Sequence, residues 1–484
     1  MKLKMNNNNL EPFWRISQDG KPSLSILGFR RFLEGSGFFK NRPNENSSFN
    51  LIKKEGIFLE IKDETDIKDY VLDYVLDSED NESVYNLMAG KTTTFKRDFL
   101  SQIVSKEIKV LKDTKDTAYL FYENGILEVK KDVKILKKYS DFGVSIWKDQ
   151  VIKRKYIESD HHESEFRTFI WKISGENVDR YNTFQTVIGY LIHSYKSKVD
   201  NKAIILNDEM ISDEPNGRSG KGLLWNALGL MKRVQSLNGK SFSFLDQFPY
   251  QSIKTDCQIL VYDDVKPNFA FINLFSMITE GMEITYKGQN TIKLPVEDSP
   301  KILITTNYVI KGTGGSHDAR KFEVELSSFF NANHSPQDFF GHMLFDDWDL
   351  EEYARFDCYM IECIKKYLSF GLMKYNSISL PFKKLEVELT KELMECIIGL
   401  SSNKWYESKW FYDFYESQLI NKFDRNKLTK NKVSICIKKY CDFYNYQYES
   451  VSPGGVKKFK IVKTKVDPKT LDIWTQIENE NGIN

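Results

Sequence analysis

The chain has 484 residues, with 69 Lys and Arg against 68 Asp and Glu and a net charge of +1. That length exceeds what one compact core takes up and points to two to four domains of ~100–200 residues. The balanced charge excludes a chain-wide basic field, so any nucleic-acid surface is local. The cysteines at 257, 358, 363, 396, 436 and 441 form no CxxC pair, which argues against a disulfide framework or structural zinc and for reduced thiols. The opening MKLKMNNNNLEPFW carries no signal-peptide core, and no apolar run reaches membrane-spanning length. No membrane partner is expected, and the expected location is the cytoplasm, including that of an infected host cell.

Residues 1–165 mix strand-like segments (IFLEIKD, TAYLFYENGILEVKK, GVSIWKDQVIKR) with helical ones (DIKDYVLDYVLDS, TTFKRDFLSQIV). Asn124-Gly125 between apolar runs predicts a tight hairpin. A mixed α/β domain is expected here, closed by a solvated connector over IESDHHESEF (157–166). His161 and His162 are adjacent on that connector and poorly placed to converge on a metal.

From Phe166 the spacing turns helical through EFRTFIWKI and YNTFQTVIGYLIHSYKS, then strand-like in KAIILNDE (202–209). There follows EPNGRSGKGLL, a glycine-rich loop opening an apolar helix, the context a phosphate-binding loop requires. Pro215 stands at the usual first glycine and Gly222 at the usual hydroxyl. Backbone N–H groups through Gly217, Ser219, Gly220 and Gly222 would surround a β-phosphate, with Lys221 reaching the β- and γ-oxygens. Gly222 removes the hydroxyl that ordinarily binds Mg²⁺.

QILVYDDV (258–265) reads as a buried parallel strand ending in two carboxylates. Asp263 would hold Mg²⁺ and Asp264 would orient or deprotonate the attacking water, although a strand-ending turn also accounts for the pair. A third strand, KILITTNYV (301–309), places Thr305, Thr306 and Asn307 at its tip, where an amide can bond both water and γ-phosphate. Beyond it Arg320 is either a loop base or an arginine that reaches a neighbouring subunit's γ-phosphate.

Lys221, then Asp263-Asp264, then a basic hairpin, then Asn307, then Arg320 is an order that resembles superfamily 3 helicases of the AAA+ type. GRSGKG, LVYDDV, LFSMITEGMEITYKG, SPKILITTNYVIKGTG and ARKFEVELSSFF resemble the phage and large-DNA-virus primase-helicase family across 166–370. The resemblance implies ATP and Mg²⁺ as cofactors, a homohexameric ring, and single-stranded DNA gripped by the hairpin EITYKGQNTIKLP through Lys287, or secondly Lys293. It implies that residues 1–165 help subunits assemble. No DxD-and-histidine set precedes position 160, so primase activity is expected from a separate primase or replication initiator.

From 421 to 470 thirteen Lys and Arg face four Asp and Glu. Helices followed by a hairpin around Pro453-Gly454-Gly455 lay out a winged helix, with Lys457, Lys458 and Lys460 touching phosphates. The expected fold is therefore α/β, with three parts: a mixed α/β N-terminal domain (1–165), an AAA+ P-loop motor (166–370) and a basic winged-helix-like domain (371–484). The expected activity is a replicative DNA helicase. The alternatives are a nucleotide-gated origin-binding or regulatory protein without unwinding, and a DNA-packaging ATPase, which would add an acidic nuclease domain that is not evident after 370.

Overall fold

Three uninterrupted apolar runs organise the chain. The computed structural model describes residues 12–42, 48–78, 81–159, 163–197, 199, 201–209, 219–288, 291–310, 312, 314–376, 379–419 and 428–463. They divide into two compact units, Met1–Tyr375 and Asn376–Asn484.

In the first unit a five-stranded sheet comprises β1 (Ala203–Asp208), β2 (Val234–Asn238), β3 (Ile259–Val265), β4 (Lys301–Thr306) and β5 (Lys321–Leu326). The order is β2-β3-β4-β1-β5 and every pair is parallel. A parallel sheet covered on both faces explains why β1, β3 and β4 are apolar at successive positions rather than alternate ones. Ile204, Leu206, Ile259, Val261 and Leu303 face one core, whereas Ala203, Ile205, Leu260, Tyr262, Ile302 and Ile304 face the other. Each Ile or Leu so buried contributes about 1.5–3 kcal/mol.

The first face is covered by helices α1 (Glu165–Ile173), α2 (Val178–Ile192), α3 (Lys221–Gly229) and α4 (Leu350–Phe370). Ser164, Asn177 and Asp349 cap α1, α2 and α4 by accepting backbone N–H bonds. Gly189 lets α2 approach α4, since a Cβ there would collide with the Cys363 carbonyl. The second face is covered by Phe271, Leu274 and a hairpin of Gly281–Ile284 with Ile292–Pro295.

Residues 12–159 contribute a four-stranded sheet (Phe38–Asn41, Asn50–Glu55, Phe58–Lys62, Ile146–Trp147) packed with helices Ile26–Gly35 and Glu64–Leu76. They also contribute a meander of Ala118–Tyr122, Gly125–Val129 and Lys134–Lys137 that turns at Asn124-Gly125. TTFKRDFLSQIV forms only the 3₁₀ turn Thr92–Phe95 and the single helical turn Arg97–Leu100. Thr94 Oγ1 donates to Lys91 O at 2.6 Å, and Lys96 is extended, so side-chain bonding competes with helix there. In GVSIWKDQVIKR only Ile146–Trp147 joins a sheet.

The meander does not keep its own core. Ala118, Leu120, Tyr122, Leu127 and Val129 are buried with α1, α2, α3 and α4. Arg154 donates Nε to Asp357 Oδ2 of α4 at 3.0 Å and Nη1 to Leu230 O at 3.1 Å. The stretch predicted as a solvated connector enters this core at its end, where Ser164 and Phe166 are buried; His161 and His162 lie outside the described residues.

The second unit begins with helices Ser379–Leu389 and Lys391–Ile398 and strand Trp405–Glu407. Helices α5 (Ser408–Gln418) and α6 (Lys430–Phe443) and strands Gln447–Val451 and Lys458–Val462 follow. The strand Lys458–Val462 pairs antiparallel with both others. Leu393, Ile397, Phe411, Tyr415, Ile437, Phe459 and Ile461 form its core. Among the described residues no helix is long and apolar enough to cross a membrane.

Candidate functional site

The carboxyl-end edge of β1, β3 and β4 gathers the polar residues. Side chains at the ends of parallel strands meet the N-terminus of the following helix, the usual place for a ligand in such sheets. Gly220 precedes α3 with φ +97°, and a Cβ there would lie 2.7 Å from the Phe169 ring, so both backbone and space require glycine. Lys221 opens α3 and turns back across the edge. Its Nζ donates to Asp208 Oδ2 at 2.5 Å and to Asn307 Oδ1. Asp208 Oδ1, Ser219 Oγ and both polar atoms of Asn207 are buried without a hydrogen-bond partner. Gly217 and Pro215 lie outside the described residues. Gly222 is exposed, with no heavy atom within 4 Å of where a Cβ would stand.

Asp263 and Asp264 sit where β3 loses register against β4 between Tyr262 and Val265. The bulge turns Asp264 to φ +57°, sending the two carboxylates different ways. Thr305 Oγ1 donates to Asp263 Oδ1 at 2.7 Å and accepts from Asp264 N at 2.7 Å. Asp264 Oδ2 instead meets Lys240 Nζ at 2.5 Å, and that hydrogen bond holds the Lys240 ammonium above its ordinary range. Thr305 and Asn307, two residues apart, thus link the Asp263 carboxylate to the Lys221 amine.

Arg320 lies at the other edge. Its carbonyl accepts from Ala203 N at the start of β1, so it stands five residues, roughly 17 Å at the strand rise, from Asp208. Its Nη1 donates to Ser316 O at 3.0 Å and its guanidinium lies 4.7 Å from the Phe275 ring centroid. Lys221, Asp263 and Asn307 are brought together; Arg320 is not brought to them within one chain.

The Gly281–Ile284/Ile292–Pro295 hairpin is anchored by Met282, Ile284, Ile292 and Leu294 in the core. Beyond the strands Thr285 and Thr291 hydroxyls bond at 2.8 Å, and Tyr286 Oη donates to Ile253 O at 2.7 Å. Lys287 is exposed past that closure. Lys293 pairs with Glu283 across the hairpin at 2.7 Å. Gln289 and Asn290 at the turn lie outside the described residues.

In the second unit Lys458 lies 3.6 Å from Glu407 and Lys460 3.1 Å from Glu449, each on the adjacent strand. Lys457 is exposed and precedes the strand.

No protein-family model matches the chain, and no curated protein matches it. Among solved structures it is similar to "The A form apo structure of NrS-1 C terminal region-CTR", at 12% identity and TM-score 0.43 over 90% of this chain and 99% of that one. It is similar also to "The apo structure of NrS-1 C terminal region (305-718)", at 12% identity and TM-score 0.42 over 91% and 99%.

Residues not anticipated from sequence complete the site. Asp208 holds Lys221, Lys240 holds Asp264, and Phe169 fills the space beside Gly220. Among the described residues no three His, Cys, Asp or Glu side chains converge as a metal cluster. The oxygens present, from the Asp208 and Asp263 carboxylates, are of the hard type Mg²⁺ takes, and Mg²⁺ usually binds through only one or two carboxylates plus substrate phosphates. Of the unpartnered atoms, the Asn207 amide and the Ser219 hydroxyl can donate to a phosphate group and the Asp208 carboxylate can face its metal, so the residues present fit that pair.

Proposed function

We propose that this chain is an ATP-dependent DNA helicase acting in replication, built on an AAA+ motor over residues 166–370. The observation that carries the reading is the meeting of Lys221 and Asn307 at the carboxyl edge of a sheet ordered β2-β3-β4-β1-β5, with Asp263 tethered beside them through Thr305. Lys221 would leave Asp208 to take the β- and γ-oxygens of ATP. Asp263 would hold Mg²⁺, which supplies charge neutralisation on those oxygens. Asn307 would orient the attacking water, and Asp264, freed from Lys240, would accept its proton. Ser219 and the Gly220 and Gly222 backbones would line the phosphates, with Gly217 at the loop entry.

Arg320 at the opposite edge supports a ring, a homohexamer on this reading, in which each arginine completes a neighbour's site. Lys287, exposed past the hairpin closure, would grip single-stranded DNA, with Lys293 secondary because Glu283 already pairs with it. Residues 1–165 would help the ring assemble, and the winged-helix-like unit after 371 would touch DNA phosphates through Lys457, Lys458 and Lys460. A separate primase or initiator would partner it in the host cytoplasm.

Gly222 favours a second reading, a nucleotide-gated DNA-binding protein that assembles without unwinding, because the Mg²⁺ hydroxyl is missing. ATP hydrolysis by purified wild type beside Lys221→Ala, with and without single-stranded DNA, decides between them. DNA-accelerated turnover abolished by Lys221→Ala supports the motor; ATP binding without turnover under every DNA condition sinks it.

A further inference from the structure

Helix α5 buries Phe411 and Tyr415 and leaves a second aromatic set outside. Trp410 and Phe414, four positions apart, share one row along α5, and Tyr406, on the preceding strand Trp405–Glu407, stacks on Trp410 at the head of that row. Tyr406 and Trp410 lie 5.6 Å apart at 19°, and Trp410 and Phe414 5.7 Å apart at 2°. The Lys404 ammonium stands 5.5 Å from the Tyr406 centroid at one end of the row. Trp410 is 49% and Phe414 38% exposed. Two large rings held parallel at the surface are more than scattered apolar exposure, because their packing against each other fixes ring orientation before any partner arrives.

Charge selects the partner. Over 376–484 the sequence carries 18 Lys and Arg against 14 Asp and Glu, and the excess lies between 404 and 463, with 13 against six, so that stretch attracts polyanions. A second copy of the same patch would bring like charges together. An acidic protein helix would meet Asp413 and Glu416 on the same helix, whereas a nucleobase offers a π-face and no charge. Stacking on aromatic rings beside a lysine-rich surface is how single strands are held without sequence preference.

We propose that the Tyr406–Trp410–Phe414 ladder is a stacking platform for the bases of single-stranded nucleic acid. The inference rests on reading the chain as a protein that acts on nucleic acid, and it adds base contacts to a unit otherwise assigned only phosphate contacts. Trp410, stacked between the other two rings, offers its exposed edge and Phe414 its outer face to a base; Tyr406 is largely buried and braces them.

The test is binding of fluorescein-labelled oligo(dT) by the full chain without nucleotide, across a salt series. Trp410→Ala/Phe414→Ala is expected to weaken binding roughly 10- to 100-fold, with the dependence of affinity on salt unchanged because no phosphate contact is removed. Trp410→Phe/Phe414→Tyr, which keeps the rings, is expected to restore most of it. Equal binding by wild type and the alanine variant overturns the ladder alone, leaving the motor reading in place. Loss of self-association by the alanine variant in the absence of DNA, with binding falling in step, also overturns it and makes the ladder an interface between copies. If wild type binds no oligo(dT) at any salt, the nucleic-acid reading falls with it. The readout is binding, so absence of ATP turnover by itself leaves the proposal standing.

Discussion

The two edges of the central sheet both gather amines and satisfy them in opposite ways. At the carboxyl edge Lys221 is held by side chains, Asp208 and Asn307, beside buried oxygens and an amide that have no partner. At the amino edge Lys301 donates to the Tyr190 and His193 carbonyls and lies 3.7 Å over the Tyr190 ring. Lys196 donates to Pro300 O at 2.6 Å and Ser299 Oγ at 3.2 Å, and Lys232 to Tyr119 O at 3.2 Å. On the proposed reading the strand-end carboxylate and amide give up Lys221 to phosphate, whereas Lys301 is held by main-chain carbonyls, Lys196 by a carbonyl and the Ser299 hydroxyl, and Lys232 by a carbonyl and, at 3.6 Å, the Asp113 carboxylate. On that reading the carboxyl edge serves a ligand and the amino edge stability.

The largest expected contrast is between Lys221→Ala and Lys301→Met. Lys221→Ala should lower ATP turnover at least ~100-fold, as loss of a charge-stabilising donor does, while costing less than about 2 kcal/mol of stability. Lys301→Met leaves two buried carbonyls without a donor and should destabilise by about 2–4 kcal/mol with turnover per folded molecule retained. Steady-state hydrolysis and urea denaturation on both variants read the two effects. Reversal of the pattern would abolish the distinction between the edges.

Gly220→Ala comes next. The left-handed backbone costs a Cβ about 1–2 kcal/mol, and the 2.7 Å approach to Phe169 adds overpacking of about 1–3 kcal/mol. Gly220→Ala/Phe169→Leu should recover the second part and not the first, measured by urea denaturation.

Much of this edge could be read without coordinates. Three apolar runs too continuous for a half-exposed sheet identify β1, β3 and β4, and the strand-loop-helix context locates Lys221. Asp208 was not legible, because an acid at a strand end looks like a turn residue until the lysine folds back onto it. The bulge that turns Asp264 to Lys240 leaves no mark in LVYDDV. The pairing of Lys458 and Lys460 with Glu407 and Glu449 depends on strand register, which a lysine-rich composition does not reveal. The fusion of the Asn124-Gly125 meander with the α1–α4 core was hidden for a similar reason, since an inward apolar face reads the same whichever core it enters.

The amino edge also predicts a pH response. Burial holds the His193 imidazole down at about 4 and the Lys196 amine down at about 7, and pushes Lys301 well below its ordinary range. Asp113 opposes the shift at His193, and Lys301 and Lys232 reinforce it. For His193 the unfolded chain binds more protons between about pH 6.5 and 4, so stability falls as pH drops through that window, by about 2 kcal/mol from pH 7 to 5. For Lys196 the unfolded chain binds more protons from about pH 7 to 10, so stability rises over that range. His193→Gln should flatten the acid limb of denaturation midpoint against pH, and Lys196→Met should reduce the alkaline limb without abolishing it, because Lys301 also takes up a proton on unfolding there. A single profile shared by both variants would show that the cluster is not titrating as described.

Gly222→Ser carries the smallest expected effect and the sharpest test of the ligand edge. The position is exposed, near the start of α3, with open space where a side chain would stand. Replacing a helix glycine there should change stability by no more than about 0.5–1 kcal/mol, in the favourable direction. If the missing hydroxyl limits metal binding, the serine lowers the Mg²⁺ concentration needed for nucleotide binding, read by titrating Mg²⁺ at fixed labelled ATP. If the Mg²⁺ dependence is unmoved, the carboxylates of Asp263 and Asp208 already hold the metal without it. The glycine would then reflect a site in which strand-end acids have taken over the work of the loop hydroxyl.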